Sequence, residues 1–81
     1  MRKALPVGEY TQLNTNADEY LIQNLSTYIL KIVIADSQPA TTVEPDFLLD
    51  PKCGISNSHF AQLCWGRPEG KYPITVGIVE G

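Results

Sequence analysis

The clearest pattern in the chain is the alternation over residues 28–35, where Tyr28, Leu30, Ile32 and Ile34 interleave with Ile29, Lys31, Val33 and Ala35. Period two in a run rich in β-branched residues predicts a strand, because successive side chains of a strand point to opposite faces. Both faces of this strand are apolar except at Lys31. A second alternation places Tyr72, Ile74, Val76 and Ile78 on one face of a strand over 72–80, and a third places Ala61, Leu63 and Trp65 on one face of 61–67. Pro39, Pro45, Pro51, Gly54, Gly66, Pro68, Gly70, Pro73 and Gly77 interrupt the second half so often that no ordinary helix fits beyond Gln38.

Upstream, two periodicities compete. Asn16 followed by Ala17, Asp18 and Glu19 has the form of a helix cap with first-turn acids, and Ala17, Tyr20, Leu21, Leu25 and Tyr28 keep a helical spacing. The rival is a short strand over 20–25. Asn24, Ser26 and Thr27 favour the strand, since they compete with a helical backbone for hydrogen bonds and suit a turn. The predicted strands are 10–13, 20–25, 28–35, 47–49, 54–56 or 58–60, 61–67 and 72–80. This pattern predicts an all-β domain, a small antiparallel β-sandwich or barrel of about six or seven strands. The alternative is α+β with a helix near 16–27. Residues 1–81 make one domain, with 1–8 as a flexible N-terminal arm.

The last two strands invite a hairpin. A four-residue loop over Pro68–Lys71 pairs Arg67 with Tyr72, sets Trp65 opposite Ile74 and Leu63 opposite Val76, and fits a type I turn. In that register Trp65 and Tyr72 face the core and Cys64 lies on the accessible face.

Composition narrows the partners. The 81 residues carry nine carboxylates against six Lys and Arg, a formal charge of −3. The cations do not cluster, which argues against nucleic acid, and no 18-residue apolar run reads as a membrane span. The carboxylates do cluster: Asp36, Glu44, Asp46 and Asp50 lie in a window without a basic residue, a solvated loop or an acidic docking patch. Arg2 and Lys3 begin like a signal peptide, yet polar residues follow from Gly8, so the chain reads as not secreted, and Asn24-Leu25-Ser26 as a chance match to a glycosylation acceptor.

Candidate chemistry is sparse. Cys53, His59 and Cys64 have irregular spacing and lack a fourth metal ligand, and a nucleophile pair of Cys64 with His59 is disfavoured because His59 follows the polar, loop-like stretch Ser56-Asn57-Ser58 in a chain too short to form a deep, dry pocket. There is no glycine-rich phosphate loop and no hydrolase or metalloprotease motif. The expectation is a non-enzymatic protein with no catalytic residues, cofactor or metal. Ile29, Val33 and Val79 sit on faces that a single small core does not need, and are the residues expected to join subunits.

A family resemblance adds a functional expectation. Tyr20-Leu21-Ile22-Gln23-Asn24-Leu25-Ser26, an apolar strand from Tyr28 to Ile34, then Asp36-Ser37-Gln38-Pro39, then Phe47-Leu48-Leu49-Asp50-Pro51, and a close on Val76-Gly77-Ile78-Val79-Glu80-Gly81 resemble small β-structured virion proteins of tailed bacteriophages. In those proteins a strand ending in a "QN" turn leads to a second strand, a Pro-bearing connection, an "L-x-P-G"-like turn and a "V-x-V-x-E" strand. The resemblance spans residues 20–81 and departs at Asp50-Pro51-Lys52-Cys53-Gly54, where extra residues separate Pro from Gly. It implies a structural virion part, assembled in the host cytoplasm: a capsid decoration or cement protein, or a head-fibre or tail adaptor. It also implies a homo-oligomer, with a trimer as the first expectation, docked on other virion proteins such as the major capsid protein. Two other classes remain open. One is a small acidic phage or bacterial protein that binds and inhibits a host protein, with Asp36 to Asp50 imitating phosphates. The other is a carbohydrate-binding module using Tyr10, Tyr20 and Trp65.

Overall fold

Strands form over most of the alternating runs, although residues 61–63 and 72–73 lie outside any strand, and all of the strands pair antiparallel. The structure, a computed structural model, describes residues 1–81. In chain order the strands are β1 (Arg2–Leu5), β2 (Thr11–Gln12), β3 (Tyr20–Asn24), β4 (Leu30–Ile34), β5 (Phe47–Leu49), β6 (Gly54–Ser56), β7 (Cys64–Pro68) and β8 (Ile74–Glu80). They build two four-stranded sheets, ordered β1-β8-β3-β6 and β2-β7-β4-β5. The all-β expectation holds, with eight strands in place of six or seven. Leu5, Ile22, Ile74, Val76 and Ile78 from one sheet meet Leu30, Ile32, Leu49 and Cys64 from the other in a single buried core.

Residues 16–27 contain no helix. Asn16 does act as a cap, its Oδ1 accepting from the Asp18 N–H at 2.9 Å and the Glu19 N–H at 3.2 Å, but it closes a polar turn that delivers Tyr20 to β3. The expected N-terminal arm is an edge strand: Arg2, Lys3, Ala4 and Leu5 lie opposite Gly77, Val76, Thr75 and Ile74.

The expected hairpin does not form. β7 lies between β2 and β4, with Trp65 opposite Val33 and Arg67 opposite Lys31, while β8 lies between β1 and β3 in the other sheet. Two features explain this. A hairpin closing over Pro68–Lys71 would place Pro73 in its ladder, where it lacks an N–H to donate. The faces of β7 also have the opposite parity: Cys64, Gly66 and Pro68 point into the sandwich and Trp65 points out. Small inward residues suit a crowded interior, since a Cβ on Gly66 would sit 3.0 Å from Leu13 Cδ1. An outward indole can satisfy its N–H, which Trp65 Nε1 donates to the Ala35 carbonyl at 2.9 Å.

The chain changes sheet at every connection except β4–β5. Each crossing leaves backbone groups at the rim without ladder partners, and two buried asparagines meet that need. Asn24 Nδ2 donates to the carbonyls of Tyr28 at 2.7 Å and Leu49 at 3.1 Å, and its Oδ1 accepts from the N–H and hydroxyl of Ser26. Asn14 Oδ1 accepts from the Cys64 N–H at 2.7 Å, and its Nδ2 donates to the Gln62 and Asn16 carbonyls. Asn24 is fully buried, so the Asn24-Leu25-Ser26 triplet is a structural turn and its amide is already occupied.

Lys52 is the one non-glycine residue with positive φ, at 66°. It follows Pro51 in a turn closed by Cys53 N–H to Asp50 O at 3.1 Å, the position of a type II turn that normally takes glycine. The Lys52 Nζ donates to the Leu25 carbonyl at 2.9 Å.

Replacing Asn24 by Ala strands the Tyr28 and Leu49 carbonyls and should lower unfolding free energy by about 2–4 kcal/mol. Near-isosteric Asn24→Asp should be at least as damaging because it removes the donors and buries a charge; chemical denaturation of the three proteins measures both. A second expectation concerns acid. The hydroxyl and N–H of Thr15 both donate to the Glu80 carboxylate and hold its pKa below the ordinary range. A depressed carboxylate contributes stability that is present above its unfolded pKa and lost as pH falls through the folded one. Glu80→Gln should therefore flatten the acid limb of a stability–pH profile and leave its neutral-to-basic part unchanged in shape.

Candidate interaction surfaces

The two outer faces differ. On the β2-β7-β4-β5 sheet, Tyr10, Val33 and Trp65 form a small buried cluster with Ala35 packed against it. The long β4–β5 connection lies across this cluster as a strap. Tyr10 Oη donates to Val43 O at 2.9 Å, Gln38 Nε2 to Tyr10 O at 2.8 Å, and Arg67 Nη1 to Thr41 O at 2.7 Å. Asp46 closes the strap, its Oδ2 accepting from Ile34 N–H at 2.6 Å and its N–H donating to Ile32 O. The Arg67 guanidinium lies 5.6 Å from the Tyr10 ring centroid. Burial raises the Tyr10 pKa, with Arg67 opposing and Asp46 reinforcing the shift.

The opposite face, on β1-β8-β3-β6, has no such cover from its own chain. Leu21 and Val79 are direct cross-strand partners, 50% and 63% exposed, and Met1 is 77% exposed. Leu25 packs towards Gly77, where a Cβ would meet its Cδ1 at 3.3 Å. Together these residues line a shallow apolar groove with Arg2 and Gln23 at its margin.

The three expected interface residues therefore do not share a face. Val33 is 4% exposed and belongs to the strapped cluster, and half-buried Ile29 lies just before β4 on the same sheet. Only Val79 lies on the bare face, beside Leu21, whose parity, opposite to that of Tyr20 and Ile22, marks it in the sequence as an outward residue. The acidic set is likewise divided. Asp36 and Glu44 are exposed on the strap, the Asp46 carboxylate is engaged by β4, and Asp50 sits at the far end of β5 in the Lys52 turn.

The cysteine and histidine candidates do not assemble. Cys53 is exposed in its turn, whereas Cys64 is buried with its thiol donating to Tyr20 Oη at 3.4 Å. The accessible Cys64 expected from the hairpin register is thereby corrected, for the same reason of parity on β7. Burial raises the Cys64 pKa, with the Tyr20 contact partly offsetting it, and burial together with Cys64 carries the Tyr20 phenol far above its ordinary range. A thiolate nucleophile is disfavoured in that position. His59 Nδ1 accepts from the Ser56 N–H at 3.1 Å, which closes a local turn. No three His, Cys, Asp or Glu side chains converge as metal ligands.

The aromatics are also redistributed. Tyr10, Tyr20 and Trp65 are buried, while Tyr72, expected in the core, is 60% exposed and stacks on Tyr28. No family model, curated protein or solved structure matches the chain.

Thiol labelling tests this placement. One equivalent of maleimide should react rapidly with the native protein, at Cys53, and the second only on unfolding; two fast equivalents would contradict the β7 parity.

Proposed function

We propose that the protein is a non-enzymatic structural component of a bacteriophage virion, a capsid decoration or cement protein or a head or tail accessory part. The observation that carries this reading is the bare Leu21–Val79 face on an otherwise self-contained sandwich. The second sheet is covered by its own strap, and Asn14 and Asn24 satisfy the rim carbonyls of Asn16, Gln62, Tyr28 and Leu49, so the module is one-sided. Such a unit suits docking on a repeating lattice, where individually weak contacts are multiplied. The pattern shared with small phage virion proteins over residues 20–81 supplies the context. Self-association and contact with other virion proteins are assigned to this face, with Val79 and Leu21 central. The inhibitor reading gains less support, because Asp46 is engaged internally and Asp50 lies away from the strap.

Mass spectrometry of purified particles should find the protein at many copies per particle; its absence from particles and presence in the soluble fraction of infected cells would reverse the choice. Sedimentation separates the two faces. Val79→Asp should shift an assembled species towards monomer while the fold persists, whereas Val33→Asp should unfold the domain. An unchanged sedimentation profile for Val79→Asp would remove the bare face from the assembly.

A further inference from the structure

Tyr28 and Tyr72 meet at one end of the sandwich, where the β3–β4 and β7–β8 connections come together. Their ring centroids are 5.3 Å apart and the planes 19° from parallel, yet the residues remain 45% and 60% exposed. The backbone that carries the pair is tied down by hydrogen bonds. The Tyr28 N–H donates to Ser26 Oγ at 3.1 Å, and its carbonyl accepts from the buried Asn24 amide at 2.7 Å. Glu69 N–H donates to Ile29 O at 3.1 Å, which ties the connection carrying Tyr72 to the one carrying Tyr28. Pro73 stiffens the chain immediately after Tyr72. Tyrosine offers a large amphipathic contact area with little side-chain freedom to lose, and a fixed pair has lost most of it already.

The surroundings select the ligand. Along the two connections Thr27, Glu69, Gly70 and Lys71 are exposed, with Pro73 the one exposed apolar neighbour and Ile29 half-buried, so the rings are flanked mainly by polar residues. A protein interface is apolar at its centre and extends well beyond one ring pair. A ligand that is apolar on one flat side and hydroxylated round its edge matches the pattern better, and a pyranose sugar has that shape. We propose that Tyr28 and Tyr72 form a glycan-binding platform. The C–H face of one sugar unit stacks on the exposed side of the Tyr72 ring, which Tyr28 backs, and Thr27 and Lys71 hydrogen-bond to its hydroxyls. The aromatic set suggested by the sequence for sugar binding, Tyr10, Tyr20 and Trp65, is buried and takes no part.

Titration of the isotope-labelled protein with cellohexaose, maltohexaose and chitohexaose, each to about 10 mM, reads the platform directly by amide chemical shift, since a contact of this size binds in the millimolar range. At least one sugar should move the signals of Thr27, Tyr28, Lys71 and Tyr72 together. Tyr72→Ala should weaken that response at least tenfold with the rest of the spectrum and the melting temperature unchanged, and Tyr72→Phe should retain the stacking contribution. The proposal is overturned if none of the three sugars moves those signals, if Tyr72→Ala binds as well as the parent, or if the signals shift on dilution of the protein alone, which would mean that a second copy covers the rings. None of these outcomes bears on the copy number in particles, so the virion reading stands or falls separately.

Discussion

A chain that crosses from one sheet to the other at almost every connection must find hydrogen-bond partners for backbone groups at each crossing, inside a body too small to admit much water. Asn14 and Asn24 answer that constraint where the β2–β3, β3–β4, β5–β6 and β6–β7 connections leave the sheets, and much of the architecture depends on them. A side-chain amide both donates and accepts, so one buried asparagine can close a turn with its oxygen and bind carbonyls of a neighbouring element with its nitrogen. Asn24 joins the end of β3 to the β3–β4 connection and to the end of β5. Asn14 extends the β2–β7 ladder by one side-chain bond beyond its last backbone pair.

Most strand positions were legible because period two is a local property: 20–25, 28–35, 47–49 and 72–80 overlap observed strands closely, the open choice between 54–56 and 58–60 falls to 54–56, and 61–67 is a strand only from Cys64 onward. The pairing was not legible, because only β4 and β5 are neighbours both in sequence and in a sheet, so turn chemistry carries almost no information about which strands meet. Trp65 illustrates the limit. Its size suggests a core position, but its N–H needs an acceptor, and the Ala35 carbonyl lies on the outer face. That single parity choice carries Cys64 inward and explains why the thiol expected to be accessible is buried. Asn16 shows the same ambiguity at a smaller scale, since the side-chain bonds of a helix cap serve equally well in a polar turn.

Of the interface residues suggested by composition, Val33 was indistinguishable from Val79, because each lies on the second apolar face of a strand. What separates them is the strap, a long-range feature whose anchors, Tyr10, Trp65 and Arg67, are scattered along the chain. Apolar content on two faces of a strand therefore has two solutions in one small protein: one sheet is covered by its own connection and the other is left open. Leu21 and Val79 matter because no strap reaches them.

The central place of β8 also governs the order of assembly. It follows β1 to β7 in sequence, yet it pairs with both β1 and β3, so three of the four strands of that sheet cannot come together until Glu80 has been synthesised. Pairings between such distant segments form slowly compared with local ones. The apolar strands β3 and β4 are thus made long before their partners, and this sheet stays incomplete until the seven residues of β8 are in place.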